Sequence, residues 1–294
     1  MPASVTMLLR PRTGIQFGVL PQHAVILPLP QDVTLGQVAQ VFGLARQPIS
    51  AEDLVKGLGH CGLQQGFAEE VIKELLQARV LLAHSRRYTP TYVLENGASS
   101  KHTVQALDRM GIPHRLIDDP SIAGNSLVLT GGEIFVPNDI HYALMTHRIA
   151  HFPHGLVDGK LVMGPLIIPG VTPCLTCFDS LYTAGDAQWN AMRVQASAKP
   201  AHRDRYDLDF AALAIATLVR DELAPWAMQH RAAWNNGTPE DAPAVPRSVT
   251  HRRVITIGSF DVHEETTVDT YQPACPVCSI ARMDGAVRRV RHVS

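Results

Sequence analysis

The sequence predicts an α/β protein in two parts. A small winged-helix-like α+β domain spans residues 1–85, and a larger α/β domain with a structural metal spans residues 89–294. Three observations carry this reading. Short β-favouring runs give way to helical periodicity within the first part. Beyond Tyr92, strands alternate with helices, the mark of a parallel sheet wound with crossovers. Two Cys-x-x-Cys pairs, Cys174–Cys177 and Cys275–Cys278, provide the ligands of a four-thiolate site.

In the first part, Val5–Arg10, Gly14–Val19 and Ala24–Leu29 read as strands, separated by Pro-containing turns. Leu35, Val38, Ala39 and Phe42 then recur at helical spacing. Ser50 is placed to cap a helix over Ala51–Leu58, with Asp53 as a box-like acid. A third helix over Phe67–Ala78 puts Val71, Leu75 and Leu76 on one face, and Val80–Leu82 reads as a closing strand. Residues 85–92 look like the joint.

In the second part, Tyr92–Leu94 is a strand and Gly97–Ser100 a loop. A helix follows over His102–Met110, then a strand over His114–Ile117 ending at Asp118. Ser126–Leu129 is a third strand, running into Thr130-Gly131-Gly132, and Pro137–Ala150 is a helix. Asp158-Gly159 between apolar runs marks a hairpin joining Gly155–Val157 to Lys160–Ile168. Asp179–Arg193 and Leu208–Gln229 read as helices, the Pro-rich 235–247 segment as a loop, and Val254–Ile257 and Thr266–Asp269 as strands.

The 294 residues carry a net charge of −1 and 46% apolar residues. That allows a sizeable core and supplies no global field for nucleic acid or an anionic membrane. The arginines of the tail (Arg282, Arg288, Arg289, Arg291) read as a solvated terminus. Four of the five cysteines sit in the two pairs, which suits a reducing compartment. No signal peptide is read in residues 1–20, and the apolar stretch Leu208–Trp226 is interrupted by Asp209, Arg220, Asp221 and Glu222. A cytoplasmic protein is expected.

The two-residue spacing lets both sulfurs of a pair face one tetrahedral ion, and the distance between the pairs makes the metal a staple between remote segments. A closed four-Cys site has no open position, so zinc here would be structural. Reduced core cysteines and separate redox motifs are the alternatives. The redox reading is disfavoured because a thioredoxin-type pair opens a helix, whereas Pro273 and Pro276 suggest a turn. Cys61, the remaining cysteine, suits a small core role. His141, His147, His151 and His154 could suggest a second metal, but no His-Glu-x-x-His is present, and surface histidines near a helix C-terminus are the simpler reading.

The run Gly164-Pro-Leu-Ile-Ile-Pro-Gly-Val-Thr-Pro-Cys-Leu-Thr-Cys177, the Ala-rich helix beyond it and the terminal Cys-Pro-Val-Cys resemble the Rossmann-like E1 (ThiF/MoeB-type) adenylating superfamily. The match covers roughly residues 89–280. With the winged-helix-like module in front, the chain resembles the leader-peptide-binding C proteins of azoline-forming cyclodehydratases. The resemblance implies one structural zinc on Cys174, Cys177, Cys275 and Cys278. It also implies an N-terminal RiPP recognition element that takes a precursor leader peptide as an extra strand. The expected partners are that peptide, a YcaO-type ATP-dependent cyclodehydratase and a second copy of the chain.

Adenylation needs a Gly-rich turn that lets phosphates approach the backbone. Glu95-Asn96-Gly97-Ala98-Ser99-Ser100 retains one glycine. Asp118, about twenty residues after Gly97, stands where a ribose-binding acid belongs, and reads equally well as a solvated strand-end residue. The family's magnesium-binding aspartate is missing: Thr130-Gly131-Gly132 reaches no acid before Glu133. Gly97 and Asp118 are therefore read as a vestigial nucleotide site, and ATP is not expected as a cofactor. The expected function is a non-catalytic scaffold that presents a ribosomal precursor peptide. An ATP-dependent ThiF/MoeB-like adenylyltransferase acting on a peptide carboxylate is the alternative.

Overall fold

The computed structural model describes residue 1 and residues 4–82, 89–198, 204–235, 243–265, 275–279 and 281. Residues 85–88 of the expected joint, part of the 235–247 loop, Pro273, the strand expected at Thr266–Asp269 and the arginine-rich tail lie outside the described residues. The chain divides into two compact units, Met1–Arg86 and Arg87–Ser294.

In the first unit, β1 (Met7–Arg10), β2 (Gly14–Phe17) and β3 (Val25–Pro28) form an antiparallel meander in the order β1-β2-β3. Gly14 is required where it stands: its φ is +143°, and a Cβ would lie 2.0 Å from the Leu27 carbonyl oxygen. Three helices follow, α1 (Leu35–Leu44), α2 (Ala51–His60) and α3 (Gln65–Gln77). The Ser50 hydroxyl accepts from the Asp53 amide at 3.0 Å and starts α2. Ile15, Phe17, Val38, Phe42, Leu54, Leu58, Val71 and Leu75 share one core. Phe17 meets Phe42 edge-on at 5.4 Å. Burial of each such side chain contributes about 1.5–3 kcal/mol.

The strand expected over Val80–Leu82 is absent. Arg79 takes a left-handed φ of +58° beyond α3, and the Leu81 amide donates back to the Leu75 carbonyl at 3.0 Å. This helix-terminating turn buries Val80 and Leu81 without sheet pairing.

The second unit is built on a parallel sheet of β4 (Thr91–Leu94), β5 (His114–Ile117), β6 (Val128–Leu129) and β7 (His151–Phe152), ordered β5-β4-β6-β7. Strand alternation sends Val93 and Leu129 into one core with Leu107, Phe152, Ile215, Val219 and Trp226. Tyr92, Leu94 and Val128 enter the other, with Leu144 and Ile149. The first face is covered by α4 (Gly97–Arg109) packed along α8 (Arg205–Leu218). The second receives α5 (Asn138–Thr146). A π turn at Val219–Leu223 carries α8 into α9 (Ala224–Asn235).

The chain steps from β4 outward to β5 and then back across to β6, which puts a topological switch point between β4 and β6. Beyond it, β8 (His154–Val157) and β9 (Lys160–Met163) form the expected hairpin. They join β10 (Arg252–Thr256) and β11 (Val262–Glu265) in a second, antiparallel sheet ordered β11-β10-β9-β8. The helix expected over Asp179–Arg193 is two helices, α6 (Leu175–Gly185) and α7 (Trp189–Ala198). The break falls at Asp186, whose extended backbone ends α6 and whose carboxylate accepts from the Gln188 amide at 2.9 Å. No helix among the described residues is long and apolar enough to cross a membrane.

Candidate metal centre and the cavity at the strand ends

All four predicted cysteines converge. Their sulfurs lie within 4.8 Å of one another, and all four residues are buried. Individual separations are 3.9 Å for Cys174–Cys177, 3.7 Å for Cys174–Cys275 and 3.6 Å for Cys177–Cys278. Tetrahedral coordination with Zn–S bonds of about 2.3 Å requires sulfur separations of about 3.8 Å. The donor set therefore fits one tetrahedral ion. Hydrogen bonds with Cys177 and Cys278, together with burial, push the Cys174 thiol far up. A bound divalent ion would reverse this by holding the sulfurs as thiolates.

Both pairs open helical segments, contrary to the tight turn that the prolines suggested. Cys174 is the N-cap of α6, and its carbonyl accepts from the Cys177 amide at 3.0 Å. Cys275 precedes the helical turn 276–279, where Ser279 donates to its carbonyl. Cys174 thus sits at the positive end of α6, which favours thiolate there. Ile167, Val136 and Met145 pack around the sulfurs and keep water from them.

Three of the four histidines are not surface groups, while His147, the C-cap of α5, is one as expected. His141, His151 and His154 are buried, and only His147 is exposed. Their elements explain this. His141 sits on the inner face of α5, while β7 and β8 carry His151 and His154 into the core. Burial lowers His151 and His154 to about 4. For His141, burial and then neighbouring His151 and Arg193 lower the ring to about 3. They are neutral at ordinary pH. Among the described residues, only the four cysteines form a metal-capable cluster of three or more groups.

A cavity of about 1010 Å³ opens at the carboxyl ends of β4 and β6, at the switch point. Gly97 lines it from the start of α4. Asp118 is exposed and stands outside its walls. The loop expected at Gly97–Ser100 is the first turn of α4: Gly97 has φ +56°, and the buried Ser100 hydroxyl accepts from the Asn96 amide at 2.9 Å while donating to the Gly97 carbonyl. Thr130-Gly131-Gly132, noted in the sequence only for lacking an acid, packs against this turn. A Cβ on Gly131 would lie 1.9 Å from the Leu94 oxygen, and one on Gly132 would lie 2.3 Å from the Ser99 Cβ. Glu133 follows into the cavity wall, its carboxylate accepting from the Phe135 amide at 2.9 Å and from Asn96 at 3.4 Å.

The far wall was not foreseen. It consists of Tyr182, Trp189, Met192 and Arg193 from α6 and α7, and Arg252 from β10. Arg193 is fully engaged, pairing with Asp179 at 3.1 Å and donating to the Val136 carbonyl and to Asn138. Arg252 donates to the Gly164 carbonyl at 3.2 Å and the Tyr182 hydroxyl at 2.9 Å, with its guanidinium 4.9 Å from the Phe178 ring centroid. The sequence signal for it was Arg252-Arg253 within a strand: alternation turns one inward, while Arg253 pairs outward with Glu264.

No protein-family model and no curated protein sequence matches this chain. Solved structures do share its fold. The heterocyclase TruD superposes with a TM-score of 0.56 at 16% identity, covering 93% of this chain and 42% of that one, so the present chain spans about two fifths of TruD. The Escherichia coli microcin synthetase McbBCD complex with pro-MccB17 bound gives a TM-score of 0.50 at 12% identity, covering 94% and 98% of the two chains. Escherichia coli MccB with ATP gives the same score and identity, again over 94% and 98%. At these identities the likeness is one of fold.

Proposed function

We propose that this chain is a peptide-binding adaptor of azoline biosynthesis. The unit Met1–Arg86 acts as a winged-helix-like recognition element, and Arg87–Ser294 is an E1-like domain with zinc on Cys174, Cys177, Cys275 and Cys278. A precursor leader peptide adds as a strand to β3, with α3 as the other wall. The adaptor presents the peptide to a YcaO-type cyclodehydratase, raising its effective concentration at that enzyme's active site.

The observation that carries this reading is the position of β3 at the edge of its sheet, paired on one side by β2. It presents Ile26, 48% exposed, beside a fully buried core, and α3 carries Phe67 and Leu76 at 41% and 38%. A strand edge with exposed apolar side chains is what β-augmentation uses: main-chain bonds supply affinity and side-chain pockets supply selectivity. The fold likeness to a heterocyclase and to a microcin synthetase solved with its pro-peptide supports the pathway.

Adenylation is the second reading, favoured by the cavity at the switch point and by Glu133 within it. Against it stand the exposed Asp118 and the single glycine at the start of α4. ATP–pyrophosphate exchange on the zinc-loaded chain separates the two, and exchange above background would overturn the adaptor. Short peptides selected from a display library test it directly. Ile26→Asp is expected to weaken their binding about tenfold or more. Unchanged binding would remove β3 as the docking edge.

A further inference from the structure

The wall formed by α6, α7 and β10 is chemistry that a vestigial nucleotide pocket does not explain. Arg252 is 7% exposed and lines the cavity. Its hydrogen-bond acceptors, the Gly164 carbonyl and the Tyr182 hydroxyl, are both neutral. Among the described residues, no carboxylate lies within 4.0 Å of its guanidinium, whereas Arg193 and Arg253 each hold one. A buried cation left without a counter-charge is costly unless something supplies one. The first turn of α4 adds a positive helix end at Gly97 and Ala98 to the same lining.

The remaining charges select the kind of anion. Glu133 and Asp158 also line the cavity. Two carboxylates in the wall oppose a polyphosphate, and that of the exposed Asp158 can accept N–H groups. Ile134, Phe135, Trp189 and Met192 provide apolar walls. A ligand that satisfies all of these carries one carboxylate, a few amide donors and an apolar body. A cavity of about 1010 Å³ holds several residues of such a chain.

We infer that this cavity is a second peptide site, in which Arg252 takes the carboxylate of an acidic side chain flanked by apolar residues. The assignment rests on the peptide-adaptor reading and adds a contact in the α/β unit, separate from the strand edge of the first unit. A free small carboxylate offers the same recognition chemistry, and the experiment distinguishes the two sources.

The test is calorimetry on the full zinc-loaded chain with acetyl-Leu-Glu-Leu-amide, its Gln counterpart, benzoate and magnesium ATP. The acidic peptide is expected to bind at least about tenfold more tightly than the Gln peptide, the worth of a charge-assisted hydrogen bond. Arg252→Gln should abolish that preference and Arg252→Lys keep part of it. Ala196→Trp, at an exposed cavity-lining position of α7, should block binding with an unchanged Tm, which protects the test if Arg252→Gln misfolds. Ile26→Asp should leave binding of the acidic peptide intact; its loss there would assign the peptide to the strand edge and overturn this site while keeping the adaptor. Equal binding of both peptides would overturn the assignment, as would benzoate binding as tightly as the acidic peptide. Displacement of the peptide by ATP would return the cavity to the nucleotide reading.

Discussion

Acid should unfold this protein through His151 and His154. Each Nδ1 donates to a carbonyl two residues earlier, Ile149 at 2.9 Å and Phe152 at 3.3 Å. The donor assignment follows because a carbonyl only accepts. Each Nε2 is buried without a hydrogen-bond partner among the described residues. A second proton would therefore create a buried cation. The sign follows from linkage: a folded-state pKa of about 4, below the ordinary 6.5, means the unfolded chain binds protons first as pH falls. Stability is full above pH 6.5 and is lost progressively between 6.5 and about 4. At about pH 5 each ring costs about 2 kcal/mol, or about 4 kcal/mol for the pair. That is a large share of a typical folding free energy of about 5–15 kcal/mol. The assay is urea unfolding near pH 7.5 and about pH 5 for the wild type, His154→Leu and the double variant with His151→Leu. Acid release of any metal bound to the four cysteines would affect all three alike and cancel in the differences. The pH dependence should flatten by about 2 kcal/mol per histidine removed. Equal pH dependence in all three proteins would refute the reasoning.

The other expectations are more local. Gly132→Ala puts a Cβ 2.3 Å from that of Ser99 at a φ of +89°; it should destabilise the chain by about 2 kcal/mol or more, read as a lower urea midpoint. Cys278→Ser should bring the zinc content of purified protein well below one per chain and cost several kcal/mol, since structural metal binding is folding free energy; full occupancy would contradict the four-thiolate centre. Arg193→Met leaves the largely buried Asp179 carboxylate without its guanidinium and frees the Val136 carbonyl; a loss of about 3–5 kcal/mol is expected, measured by urea unfolding.

The order of strands and helices was legible because it rests on local pattern. Val93 and Leu129 alternate with Tyr92 and Val128, and Ser50 caps α2 through Asp53, so a short window of sequence is sufficient. The cysteine cluster was legible for a different reason: the Cys-x-x-Cys spacing is itself the geometry of a pair. What failed depended on tertiary context. Val80 and Leu81 have strand-like chemistry, but a left-handed Arg79 turns them into the core. The buried histidines look polar in a sequence, and only the packing of α5, β7 and β8 removes them from water. Gly131 and Gly132 read as a missing acid, whereas their role is to let two backbones meet. Arg252 and Trp189 come from elements remote in sequence, and nothing local announces that they share a wall with Gly97.

The central claim is that an extended peptide pairs with β3. Hydrogen–deuterium exchange on the full zinc-loaded chain, with and without a library-selected peptide, tests it most directly, because strand addition gives exposed edge amides new acceptors. The account predicts slowed exchange in the segment Val25–Pro28 and on α3 in the presence of peptide. That slowing should disappear in Ile26→Asp. Protection that spares β3 while peptide is bound would contradict the account and remove the adaptor reading.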